Sequence, residues 1–190
     1  MIVIISCNKS QGCDDTQKIR EIETANIIGS FNYNKGSLPI CITLKKLNIR
    51  TDLKAERNRN DSMVIVKLPP KEDLLSRNTE LFIEKLLDSN FFNQSDSLNF
   101  VQQNYCLSHY SIPNEISEKV KTISLATLKN QKEKNEYIIM SIPIFSIDNK
   151  KAYIEIDTYA KDYKHGESFY LEKNGEKWKV IYIVNNWNQC

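Results

Sequence analysis

A chain of 190 residues and 22.1 kDa is long enough for one domain with a hydrophobic core and too short for two ordinary domains and a linker. Its hydrophobic fraction of 41% and charged fraction of 26% are those of a soluble globular chain, and they exclude wholesale disorder, collagen-like repetition and a multi-spanning membrane protein. Lys and Arg number 26 against 24 Asp and Glu, a formal charge of +2, too balanced to imply nucleic acid or another polyanion as partner.

The chain opens on Met1-Ile2-Val3-Ile4-Ile5-Ser6-Cys7, an apolar run closed by a small residue and a cysteine, and turns polar at Asn8. Ile4-Ile5-Ser6-Cys7 resembles the bacterial lipobox, in which signal peptidase reads apolar residues and one small residue ahead of the thiol that receives lipid. The resemblance implies lipid attachment at Cys7, the membrane as a partner, and a place in the bacterial cell envelope, on the periplasmic side or at the outer-membrane surface. A secretory signal has a basic start and none precedes this run, so the reading includes a true start upstream of Met1. A buried first strand of a cytosolic protein is the alternative, because four β-branched residues in a row suit a strand. No other stretch is apolar for long enough to span a bilayer. On the lipoprotein reading residues 1–7 are the remnant of a signal, 8–16 a tether and 17–190 one domain.

Lipid on Cys7 leaves Cys13, Cys41, Cys106 and Cys190, an even number that permits two disulfides in an oxidising compartment. Five buried thiols of a reducing compartment are the alternative. There is no Cys-x-x-Cys pair, and neither His109 nor His165 falls in a ligand-like repeat, so no zinc or other metal site is expected.

Further along, Ile19, Ile22 and Ala25 recur at a spacing of three and predict a helix beginning near Asp15. The β-rich runs Leu38–Leu44 and Ser62–Leu68 read as strands. Between them residues 45–59 carry a net charge of +4 without one aromatic residue, and a basic segment lacking stacking platforms reads as a solvated loop, with lipid head groups as the minor alternative. Leu75, Phe82, Ile83, Leu86 and Leu87 predict a helix ending near Asp88, and Ser95-Asp96 opens another through Leu98, Phe100 and Val101. A third helix follows Pro113, with Ile116, Val120, Ile123 and Thr127 on one stripe until the charged run at residues 129–135.

The last fifty residues read as an antiparallel β-meander: Tyr137–Ile142, Lys151–Ala160, Glu167–Lys173 and Lys177–Val184, with Asn174-Gly175 as the hairpin turn. Strands clustered at the C-terminus, packed on helices from the middle of the chain, give an α+β fold. Alternation in the second strand sets Ala152, Ile154, Ile156, Thr158 and Ala160 on one face and Tyr153, Glu155, Asp157 and Tyr159 on the other.

The run Ser141-Ile142-Pro143-Ile144-Phe145-Ser146-Ile147-Asp148, then Lys151–Ile156, Gly166, Phe169–Lys173 and Trp178-Lys179-Val180 resembles the C-terminal region of uncharacterised Bacteroidetes (flavobacterial) lipoproteins, with Gly175 and Trp178 in the closing hairpin. Its second half also resembles the final strands of the nuclear-transport-factor-2-like (cystatin-like) fold. Neither resemblance implies an activity or catalytic residues. Asp61-Ser62-Met63 and Asp96-Ser97-Leu98 resemble the loose acceptor tripeptide for O-glycosylation of exported Bacteroidetes proteins.

Catalytic signals are sparse. Glu155 and Asp157 could form an acid and base pair, but a polar outer strand face explains the same letters. Five glycines, none in a phosphate-cradling run, speak against a nucleotide loop, and no cofactor is expected. Trp178 and Trp187 are expected in the core or at the sheet edge. The expected function is a lipid-anchored binding module of the cell envelope, for an unknown protein or small molecule, with Tyr153, Glu155, Asp157 and Tyr159 as its binding face. The alternatives are a periplasmic immunity lipoprotein that neutralises a toxin, and a small enzyme with a pocket in a cone-shaped sheet, for which Asp157, Tyr159 and His165 are the residues of interest.

Overall fold

The computed structural model describes residues 11–31, 38–51, 75, 79–106, 109–130 and 136–189, the side chains of 11–15, 105 and 189 excepted. Ile4–Cys7 and the predicted strand Ser62–Leu68 lie outside these residues, so neither expectation is addressed by the fold.

Helix α1 spans Gln11–Ser30, four residues earlier than the spacing suggests, so residues 11–16 of the expected tether are helical. Gly12 falls in the first turn, where it weakens a helix least. The buried stripe is Arg20, Glu23, Thr24, Ile27 and Ile28, at helical spacing of three and four. Ile19 and Ile22, whose spacing predicts the helix, are about half exposed. The helix is rotated because its polar residues find partners inside. Arg20 donates to Asn99 Oδ1 at 2.7 Å, and Glu23 accepts from Lys173 Nζ at 2.7 Å and from Trp178 Nε1 at 2.9 Å.

Two short strands follow, β1 (Ile40–Cys41) and β2 (Asn48–Arg50), then β3 (Glu80–Phe82) running directly into α2 (Ile83–Leu87). The helix predicted from Leu75 is thus only its last turn and a half, preceded by a strand parallel to β2. A 3-10 turn at Gln94–Asp96 leads into α3 (Ser97–Cys106). The helix expected after Pro113 divides into α4 (Asn114–Ser117), β4 (Thr122–Ile123) and α5 (Leu125–Asn130), because Thr122 and Ile123 pair with β1 instead of continuing the helix.

The antiparallel meander is present as β5 (Tyr137–Met140), β6 (Ile144–Phe145), β7 (Lys151–Tyr159), β8 (Lys164–Asn174) and β9 (Lys177–Gln189), with β5 and β7 shorter than expected, β8 and β9 longer, and β6 an addition. The β8–β9 loop is Gly175-Glu176, one residue later than an Asn-Gly turn, with Gly175 at φ +61. A glycine first in a two-residue loop is the signature of a type II′ turn. The sheet runs β4-β1-β5-β7-β8-β9, with β6 beside β7. It is antiparallel from β5 onward and parallel where β1 lies between β4 and β5. The class is α+β.

β7 is buried on both faces. Ala152, Ile154 and Ile156 belong to a core under α1 with Ile27, Ile28, Ile138 and Leu171. Tyr153 lies on the opposite side, in a second core with Leu81, Leu86, Phe91, Phe92, Phe100 and Tyr170. An α3 side chain closes one sheet margin: Gln103 accepts from Phe145 N and donates to Phe145 O, both at 2.9 Å. Asn104 does the same for β2, bonding Ile49 N at 2.9 Å and Ile49 O at 2.8 Å.

Candidate functional site

The alternation in β7 does place Tyr153, Glu155, Asp157 and Tyr159 on one side of the sheet, but that side is not an open surface. Tyr153 has no exposure, Glu155 and Asp157 are buried, and Tyr159 is half-buried, stacked on Tyr137 with ring centroids 4.7 Å apart. The reason is Lys45. Expected in a solvated loop, it is fully buried, its backbone locked to Met140 and Ile142, with Nζ 2.6 Å from Asp157 Oδ2 and 3.5 Å from Glu155 Oε2. An ammonium between two carboxylates supplies the compensation that buried charges require.

The network continues outward from these three. Tyr153 donates to Glu155 Oε1 at 2.7 Å and lies 2.7 Å from Ser168 Oγ, which donates to Asn186 Oδ1 at 2.9 Å. Lys85, from α2, donates to the same Asn186 oxygen at 2.9 Å and stands 3.8 Å from Glu155. Trp187 Nε1 donates to Asp157 Oδ1 at 3.2 Å. Gly166 makes that last contact feasible: a Cβ there would fall 2.0 Å from Trp187 Nε1 and 2.7 Å from Asp157 Oδ1.

Chemically the cluster is closed. Burial first, then the charge of Glu155, raises the Tyr153 hydroxyl above its ordinary value of 10, which keeps it a neutral donor. Ser168 is wholly buried and its proton is committed, so it lacks the access a nucleophile needs. The enzyme reading's three residues are not brought together. His165 pairs in register with Thr158, on the opposite face from Asp157, stacks on Tyr163 and lies 3.4 Å from Glu167. His109 is exposed beside Ser111. Among the described residues no group of three His, Cys, Asp or Glu side chains is placed to hold a metal ion, and no helix is long and apolar enough to cross a membrane.

Cys41 is a free thiol, buried, and its burial raises its pKa. It therefore drops out of the four candidate disulfide partners. Asp96 is buried and spent on the backbone of Asn93 and Ile147, at 2.9 and 2.8 Å; Asp61-Ser62-Met63 lies outside the described residues.

Two surface features remain. Beside the middle of α1 an open cleft of about 870 Å³ is lined by Ile19, Glu23, Lys150, Lys173, Lys179 and Ile181. Its lysines alternate with Asp148 and Glu172, so it selects no one sign of ligand charge. The other feature is β9. Val180, Ile181, Ile183 and Val184 are each between 39 and 50% exposed. Among the described residues β9 pairs with β8 alone, leaving its outer edge open. Sequence reasoning assigned this strand to the meander and passed over the signal it carries: Val180-Ile181-Tyr182-Ile183-Val184 is continuously apolar where a strand with one wet face alternates. Lys45 gave no signal, since nothing in Leu44-Lys45-Lys46-Leu47 separates the buried lysine from its neighbour.

Comparison of the chain with protein-family models, with curated proteins and with solved structures finds no match.

Proposed function

We propose that this protein is a binding module of the bacterial cell envelope, anchored by lipid on Cys7, that holds its partner on the outer strand of its sheet. The lipid anchor is supported by Ile4-Ile5-Ser6-Cys7 and its polar sequel. The recognition surface is carried by one observation: β9 is 13 residues long and exposes four apolar side chains along an edge no described strand covers. Natural sheets blunt such edges with charge, proline or covering side chains, because unpaired backbone groups recruit another strand. This chain covers Phe145 with Gln103 and Ile49 with Asn104, and β9 carries no charge after Lys179. Strand addition uses such an edge, with main-chain bonds for affinity and side-chain pockets for selection.

The same compartment gives the cysteines a role. The bridge we propose is on Cys106, buried in the last turn of α3. Binding and anchoring are separated by two substitutions in the native host. Cys7→Ala, expressed with its upstream region, moves to the soluble fraction. Ile183→Lys stays in the membrane fraction and loses its chemical cross-links to envelope protein. Full retention of those cross-links by both Ile183→Lys and Val184→Lys overturns the β9 surface, and an unmodified Cys7 in protein from the source cell overturns the anchor.

A further inference from the structure

We infer that the partner strand is β9 of a second copy of this chain, so that two sheets join edge to edge across a two-fold axis. The inference rests on the β9 recognition surface and adds the identity of its occupant. Three observations carry it.

The first is charge. In an antiparallel self-pairing centred on Ile183, Lys177 faces Gln189 and Lys179 faces Trp187 of the second copy, while Val184 faces Tyr182. Neither lysine meets its own kind. A parallel pairing would instead stack Lys177 on Lys177 and Lys179 on Lys179, and like charges directly opposite destabilise a sheet. The strand is therefore self-complementary in the antiparallel orientation, which a two-fold perpendicular to the sheet closes into a dimer.

The second is the arrangement of apolar side chains on both faces. Val180 and Ile183 pair with Leu171 and Phe169 and point to the α1 side, whereas Val184 pairs with Ser168 and points to the other. An isolated strand edge exposed on both faces gains burial on both when another strand is set beside it. A two-fold perpendicular to the sheet keeps the α1 side of one copy continuous with the α1 side of the other. That places Ile19, exposed on α1 where it borders Ile181 across the cleft, on the same side as the α1 of the second copy.

The third is size. Thirteen strand residues span about 43 Å, and a strip of that length need be only about 20 Å wide to reach the roughly 800 Å² per partner of a stable interface. A strand alone is narrower. The neighbouring flank of α1, itself a helix roughly 10 Å across, supplies the missing width, with Ile19 exposed on it.

Sedimentation equilibrium of the full chain with Cys7→Ser, over a wide concentration range, is combined with amide exchange along β9. The expected result is a reversible dimer of twice 22.1 kDa whose outer β9 amides, those not bonded to β8, are protected only at concentrations where it forms. Ile183→Lys, which meets its own copy at the axis, raises the dimer dissociation constant by about 100-fold or more, with the far-UV spectrum unchanged; Val184→Lys serves if the first variant misfolds. A dimer indifferent to both substitutions overturns the inference. A monomer at all concentrations whose outer β9 amides exchange freely also overturns it, leaving the edge open for a different protein and the binding-module reading intact. A monomer with those amides protected shows the edge covered by the chain's own residues, and both readings fall.

Discussion

Lys45 decides how the most suggestive residues of the sequence are understood. Tyr153, Glu155, Asp157 and Tyr159 have the composition of a binding face, but one buried ammonium turns two of them into structural charges and the tyrosine beside them into a core side chain. Removing one member of a buried ion cluster leaves the others uncompensated, so Lys45→Met should cost about 3–5 kcal/mol in chemical denaturation. The triple replacement Lys45→Met, Asp157→Leu and Glu155→Gln should recover much of that loss. A Lys45→Met variant as stable as the parent would show that the carboxylates reach water. Gly166→Ala tests the contact beside it: the added methyl has no room against Trp187, and overpacking of this kind costs about 1–3 kcal/mol. Its companion readout is Trp187 fluorescence, which should shift as the indole leaves Asp157.

At the scale of elements, α1 shows what a sequence pattern conceals. Ile19 and Ile22 define an apolar spacing, yet the helix turns Arg20 and Glu23 inward, because Asn99, Lys173 and Trp178 wait there from elements 79 to 155 residues away along the chain. Local periodicity carries no information about partners at that distance. It does carry the meander, where pairing is between neighbours, and so β5 and β7 to β9 are legible from alternation and turn residues alone. The parallel insertion of β1 between β4 and β5 is not, since two-residue strands leave no periodic trace. The Glu23 contact gives a pH prediction. Burial opposes the charge of Glu23, but the hydrogen bonds from Lys173 and Trp178 outweigh it and hold the carboxyl below its ordinary 4.5. A folded value below the unfolded one contributes stability that is present above about pH 4.5 and is lost as pH falls through the folded value. Thermal melts should therefore show Glu23→Gln less stable than the parent at pH 7, with the difference narrowing in acid. For the cysteines, non-reducing peptide mapping of protein from the source cell should recover Cys41 as a thiol and Cys106 in the proposed bridge, whose reduction should cost about 2–4 kcal/mol.

For the whole molecule, the sheet has an inside and an outside that differ from the expectation of the strand patterns. Helices cover both faces of β7, so the proposed recognition surface lies two strands outward on β9, the last strand of the sheet among the described residues. The interior polar cluster then fixes the register of β7, β8 and β9 through Asp157, Ser168, Asn186 and Trp187, and the outer strand presents a rigid edge. A photoreactive residue placed at position 183 of the full chain, in its native cell, tests the proposed β9 surface most directly. Adducts should form from position 183, at twice the chain mass when the second copy is the occupant, and none should form from position 155. Adducts from position 155 and silence from position 183 would contradict it.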